Sequence, residues 1–92
     1  MTAIVDNDRR LLGIFTDGDL RRAVDNNNID LRTTPVTSLM SVNPKTIAAD
    51  KLAVEAARLM EDYKIHALLV VDADERVVGA LNIHDLLRAR VV

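Results

Sequence analysis

Apolar residues along this chain come in short blocks separated by polar turns. Thr2 to Val5 and Leu11 to Phe15 flank the polar stretch Asp6 to Arg10, and Ala67 to Val71 and Val77 to Leu81 flank Asp72 to Arg76. Short apolar runs bounded by turn formers predict strands, and each couple predicts a β-hairpin or closely linked strand pair. An Asp then opens a short segment with helical spacing, carrying Leu20, Ala23 and Val24 after the first pair and Leu86, Leu87 and Ala89 after the second. Ahead of the second pair, Pro44 breaks the chain and Thr46 to Ala48 predicts a short strand. Asp50 then stands as the N-cap of a helix running to about Lys64. That helix places Leu52, Ala56, Leu59, Met60 and Tyr63 on one face. The segment Asn26 to Ser41, with Asn26-Asn27-Asn28 and Pro35, reads as a linker with one helical turn around Val36 to Met40.

The two blocks are copies of one another. Ala3 to Val24 aligns without gaps on Leu69 to Arg90, and nine of 22 positions are identical: Val5/Val71, Asp6/Asp72, Asp8/Asp74, Arg10/Arg76, Gly13/Gly79, Asp19/Asp85, Leu20/Leu86, Arg22/Arg88 and Ala23/Ala89. Unrelated chains of average composition would share roughly one or two. The second copy is complete, reading strand, long helix, strand, strand, short helix, whereas the first shows only the last three. The expectation is an α/β (α+β) fold of two pseudo-symmetric β-α-β-β-α units, the first lacking its N-terminal half. The counterpart of Met40 to His66, about 27 residues, would then lie ahead of residue 1, with Met1 internal to a longer chain. The boundaries read as 1–25 for the back half of the first repeat, 26–39 for the linker and 40–92 for the second repeat.

Composition narrows the function. Twelve Lys and Arg against fourteen Asp and Glu give a net charge of −2 over 92 residues, which argues against the basic footprint of a nucleic-acid binder. Apolar residues make up 49%, yet one Tyr and one Phe are the only aromatics, so the core must be aliphatic and base stacking on aromatic rings is disfavoured. The chain has no Cys, which removes disulfides, thiolate zinc sites and thiol nucleophiles. Its longest apolar run, Ala67 to Val71, is far short of a membrane span, and nothing near residue 1 resembles a signal peptide. No membrane partner and a cytoplasmic location are expected. His66 and His84 have no close Asp or Glu at ligand spacing, so no metal site is expected. No nucleophile with a base and no Gly-rich phosphate loop is present, so no catalytic residue is assigned.

The stretch from Met40 to Val92 carries M-S-x-x-P-x-T-I, a helix ending in Leu59-Met60, K-I-H-A-L-L-V-V-D, V-V-G-A-L and a last helix opened by Asp85. It resembles a cystathionine-β-synthase (CBS) domain, and residues 3 to 24 resemble the back half of another. Tandem CBS domains pair into compact pseudo-two-fold modules, so the resemblance implies one such pair. Gly13-Ile14-Phe15-Thr16-Asp17-Gly18-Asp19-Leu20-Arg21-Arg22 and the ending His84-Asp85-Leu86-Leu87-Arg88-Ala89-Arg90-Val91-Val92 are similar to the C-terminal CBS pair of bacterial D-arabinose 5-phosphate isomerases. That family supplies the sugar phosphate for 3-deoxy-manno-octulosonate (Kdo) of lipopolysaccharide or capsule. Its catalysis resides in an N-terminal sugar isomerase (SIS) domain, of which no part is present here.

The candidate chemistry sits where the second strand meets the short helix, at Thr16-Asp17-Gly18-Asp19 and Asn82-Ile83-His84-Asp85. A helix N-terminus offers unpaired N–H groups and partial positive charge to a phosphate or a sugar hydroxyl. A carboxylate repels phosphate but accepts both hydroxyls of a ribose, so Asp19 and Asp85 suit a ribose diol and Thr16 a phosphate or sugar oxygen. In CBS domains the motif Thr/Ser-x-x-Asp does this work; Thr16 with Asp19 matches it, and Asn82 replaces the hydroxyl residue in the second copy. Asp19 and Asp85 fit equally as plain helix caps, and Asp17 beside Asp19 fits a solvated cap. Arg22 and Arg88, with Arg21, could neutralise a phosphate or pair with a nearby Asp. His84 stands in the place of Gly18 and could meet an anion when protonated, whereas His66 is expected to be structural. The resemblance implies a base pocket around Pro44 to Ile47, including Thr46 and Ile47, and Ile65 to Leu68; these residues fit a core as well. Three functions follow. The first is a regulatory module sensing a nucleotide sugar such as CMP-Kdo or an adenine nucleotide, with no required cofactor. The second is a ligand-free module that holds a homo-oligomer together through CBS pairs. The third, a free-standing enzyme, finds no support in the residues.

Overall fold

A computed structural model describes residues 1–90; Val91 and Val92, the last two residues of the second repeat as read from the sequence, lie outside the described residues. The chain divides into two compact units, Met1–Pro44 and a second beginning at Lys45. Both are mixed α/β.

In the first unit, β1 (Thr2–Val5) and β2 (Leu11–Phe15) form an antiparallel pair, followed by α1 (Asp17–Asp25) and a single 3-10 turn at Val36–Ser38. The turn between the strands is built by Asp6, whose Oδ1 accepts from the backbone N–H groups of Asp8 (2.8 Å) and Arg10 (3.0 Å). Asp72 does the same in the second unit for Asp74 and Arg76, both at 2.9 Å. Arg9 and Glu75 take the left-handed conformation at matching places, with φ of 65° and 62°, and each hairpin slips register at its turn end, between Ile4/Val5 and Val70/Val71. The Asp6/Asp72 identity therefore has a physical cause: a short carboxylate holds two backbone donors and closes the turn.

The second unit runs β3 (Thr46–Ala48), α2 (Ala53–Tyr63), β4 (Ala67–Val71), β5 (Val77–Asn82) and α3 (Ile83–Arg88). Its sheet has the order β3-β4-β5, with β3 parallel and β5 antiparallel to β4. A parallel neighbour needs a crossover, and α2 supplies it. Ala56 and Met60 of α2, Leu68 of β4 and Leu86 of α3 form the buried core, with Ile47, Ala57, Leu59, Ile65, Leu81 and Ile83 packed around it.

Three local expectations change. Asp50 does not cap α2: it lies in the turn that follows β3, where Lys51 N–H bonds to the Ala48 carbonyl at 3.1 Å, and the helix starts after Leu52 without a side-chain cap. The buried face of α2 is narrower than its spacing implied. Ala56 and Met60 are buried, whereas Leu52 at one end is exposed and Tyr63 at the other lies under the Lys45 ammonium, 4.2 Å from the ring centre. The first copy's short helix buries Ala23 but leaves Leu20 and Val24 exposed.

Candidate ligand site at the strand-to-helix junctions

The residue that opens each short helix is one turn earlier than the Asp. Thr16 is the N-cap of α1 and Asn82 the N-cap of α3, while Asp19 and Asp85 stand at the third helical position and complete a capping box. Thr16 Oγ1 accepts from Asp19 N–H (3.1 Å), and Asp19 Oδ2 accepts in return from Thr16 N–H (2.9 Å). The Asn82 pair repeats both bonds at 3.0 Å. Reciprocal capping satisfies two otherwise orphaned donors, which is the local reason for an Asp three residues after Thr or Asn.

Beyond this shared frame the copies diverge. Asp19 is buried, with its side chain 3% exposed. Its Oδ2 also accepts from the Thr16 hydroxyl at 3.0 Å, and its Oδ1 accepts from the Ser41 hydroxyl at 2.8 Å and from the Arg22 guanidinium. Asp85 has its side chain 35% exposed; its Oδ1 accepts from Arg88 Nη2 at 2.8 Å. Both arginines extend into solvent, with side chains 71% and 77% exposed. Thr16, Asp19 and Arg22 thus form one cluster, and Asn82, Asp85 and Arg88 another. His84 is exposed at the second position of α3, and Thr46 and Ile47 are half-buried on β3, Ile47 against the core. His66 is exposed ahead of β4, and its carbonyl accepts from Ile83 N–H at 2.8 Å. Asp17 and Arg21 are exposed on α1.

Ser41 was not legible as a site residue. It lies 22 residues from Asp19 in a stretch read as linker, and no local spacing relates the two. The only pointer was its place in the M-S-x-x-P motif. Two-way backbone bonds fix it against β2, Ile14 N–H to the Ser41 carbonyl at 2.9 Å and Ser41 N–H to the Ile14 carbonyl at 2.8 Å. A separate cleft of about 460 Å³ in the second unit is lined by Ala57, Met60, Glu61, Lys64, His66 and Ile83 and contains neither carboxylate. Among the described residues no group of His, Asp and Glu is placed to hold a metal ion, and no helix is long and apolar enough to cross a membrane.

Burial by itself would raise the Asp19 carboxyl. The backbone bond from Thr16, the Ser41 hydroxyl, the Thr16 hydroxyl and the Arg22 guanidinium outweigh it and hold the group below its ordinary 3.8, at about 2. Asp85 is lowered as well, by the Asn82 backbone and by Arg88. A folded-state value below the unfolded one favours the native state at pH above the unfolded value, and the gain disappears as pH falls through the folded value. Acidification from pH 4 to pH 2 is therefore expected to remove up to about 2 kcal/mol contributed by Asp19. Urea titrations across that range should show this loss in the wild type and a flatter profile in Asp19→Asn; equal slopes would refute it.

Residues 1–26 and 36–92 match the family model of the CBS domain. Among curated proteins, the arabinose 5-phosphate isomerase KdsD of Pseudomonas aeruginosa is 58% identical over all 92 residues, and the chain spans 28% of that relative's length. Among solved structures, CBSX2 in complex with AMP superimposes with a TM-score of 0.81 at 28% identity, covering 97% of this chain and 69% of that one. The CBS domain pair of protein MJ0100, in complex with 5′-methylthioadenosine and S-adenosyl-L-methionine, gives a TM-score of 0.79 at 29% identity, covering 97% and 68%.

Proposed function

Since the chain belongs to the CBS domain family, we propose that it is the regulatory CBS pair of a cytoplasmic D-arabinose 5-phosphate isomerase serving Kdo synthesis, sensing an adenine nucleotide or a nucleotide sugar such as CMP-Kdo. The observation that carries this reading is the repeated strand-to-helix junction with an ionised carboxylate at its third helical position, in a fold whose solved neighbours hold adenosine compounds. The identity to the P. aeruginosa isomerase supports the parent activity, with an N-terminal SIS domain as catalytic partner and assembly into a homo-oligomer through CBS pairs. Chemically, Asp19 and Asp85 accept from ribose hydroxyls, Thr16 and Asn82 contact a phosphate or sugar oxygen, and Arg22, Arg88 and protonated His84 balance anionic charge. Thr46 and Ile47 border the base. Regulation requires that the ligand bind two arrangements of the pair unequally.

Titration calorimetry of the full polypeptide with AMP and with CMP-Kdo tests this. At least one should bind with Kd below about 1 mM, and Asp19→Asn combined with Asp85→Asn should weaken it at least about tenfold, the loss expected for two charge-assisted bonds. Absence of binding by both nucleotides would end the sensing reading. The second reading is a ligand-free module that holds an oligomer together through CBS pairs. In that case both substitutions leave the oligomer mass and the regulation of activity unchanged.

A further inference from the structure

The four lone-pair directions of the Asp19 carboxylate are all engaged within the first unit, two by Thr16 on Oδ2 and two by Arg22 and Ser41 on Oδ1. A carboxylate has about four acceptor sites, so a ligand hydroxyl reaches Asp19 only by displacing a bond already made. The Oδ2 bonds belong to the capping box and hold the start of α1. Of the two on Oδ1, the Arg22 side chain is 71% exposed and swings into water at small cost. The Ser41 hydroxyl is different, because its backbone is bridged to Ile14 on β2 in both directions. Gly13 makes this approach possible: a Cβ there would stand 2.6 Å from the Ser41 carbonyl oxygen and 2.8 Å from Met40 Sδ. The segment so fastened continues through Pro44 into the second unit.

We propose that Ser41 is a latch on this site: a ribose diol brings two hydroxyls to Asp19, the exposed Arg22 yields one place on Oδ1, and the Ser41 hydroxyl holds the other until ligand binding exchanges it. This rests on the reading that Asp19 receives the ligand. Occupancy then loosens the Met40–Ser41 segment from α1, which gives binding in the first unit a route to the chain leading into the second. The apparent affinity is lowered by the fraction of molecules in which the latch is closed. Asp85, which is 35% exposed and bonded to Asn82 and Arg88, has no such toll to overcome from a serine hydroxyl among the described residues.

The experiment uses the full polypeptide, with AMP as first probe and CMP-Kdo as second, in an Asp85→Asn background that isolates the first site. Ser41→Ala should tighten binding by about tenfold, as expected when a competing bond to a charged acceptor is removed, and Ser41→Thr, which keeps the hydroxyl, should stay near the parent value. Unchanged or weaker binding in Ser41→Ala, with binding weakened at least about tenfold by Asp19→Asn, overturns the latch and leaves the sensing reading intact. No binding by the wild type and by Ser41→Ala with Asp85 intact removes both.

Discussion

Gly13→Ala is expected to destabilise the first unit by about 2–3 kcal/mol, whereas Gly79→Ala at the equivalent repeat position should change stability by less than about 0.5 kcal/mol. The two glycines hold the same repeat position, each between apolar residues, and differ in surroundings. A methyl on Gly13 meets a backbone carbonyl, that of Ser41, at 2.6 Å, and a backbone oxygen yields only if the segment withdraws. Withdrawal costs the paired bonds between Ile14 and Ser41 and strains the Ser41 bond to Asp19. A methyl on Gly79 meets only Val70 side-chain atoms at 3.8 Å and beyond, an ordinary van der Waals contact. Neither glycine has a positive φ, so the contrast is steric alone. Urea unfolding read through amide exchange of β2 and β5 separates the two, and equal effects at both positions would disprove the account.

Leu68→Ala should cost about 3 kcal/mol in the second unit, typical of a fully buried leucine whose cavity closes incompletely. Leu68 has no exposed surface and sits with Ala56 and Met60 of α2 and Leu86 of α3 in the buried core. At about 0.1 kcal/mol per residue, a unit of this size holds roughly 5 kcal/mol, so one truncation removes most of its reserve. Val78→Ala on the same sheet, where Val78 is 51% exposed, should stay within about 0.5 kcal/mol. The comparison is made by thermal or urea unfolding of both variants. If their midpoints shift equally, Leu68 is not the centre of the core.

Much of the architecture was legible because it depends on local chemistry. The hairpins followed from apolar runs around Asp6 and Asp72, and those residues build matching turns. The 3-10 turn at Val36–Ser38 falls within the helical turn read around Val36 to Met40. The helix starts were less legible. Asp50 has the right residue type for a cap, but the turn after β3 uses the residues up to Lys51, and α2 begins beyond it. At the junctions, spacing points to Asp19 and Asp85 as openers, whereas Thr16 and Asn82 open the helices and the acids close the reciprocal bonds of the capping box.

The candidate site divides in the same way. Thr16, Asp19 and Arg22 are three residues apart in succession, and a helix brings such neighbours together without help from the rest of the chain. Sequence alone therefore determined the repeat, the turns and the strand-to-helix junctions, all consequences of short-range spacing, whereas the choice of Arg22 and Arg88 as partners of the acids came from the structure. Only the tertiary structure decided how burial and bonding differ at equivalent positions of the two copies. Gly13 and Gly79 hold the same repeat position, yet Gly13 lies against the Ser41 carbonyl and Gly79 meets only Val70 side-chain atoms. Asp19 and Asp85 likewise share a motif, yet one is buried beneath Ser41 and the other faces water. The cause is packing between segments distant in the chain, which no local pattern encodes: burial and hydrogen-bond saturation depend on what arrives from elsewhere, and it arrives differently at each copy.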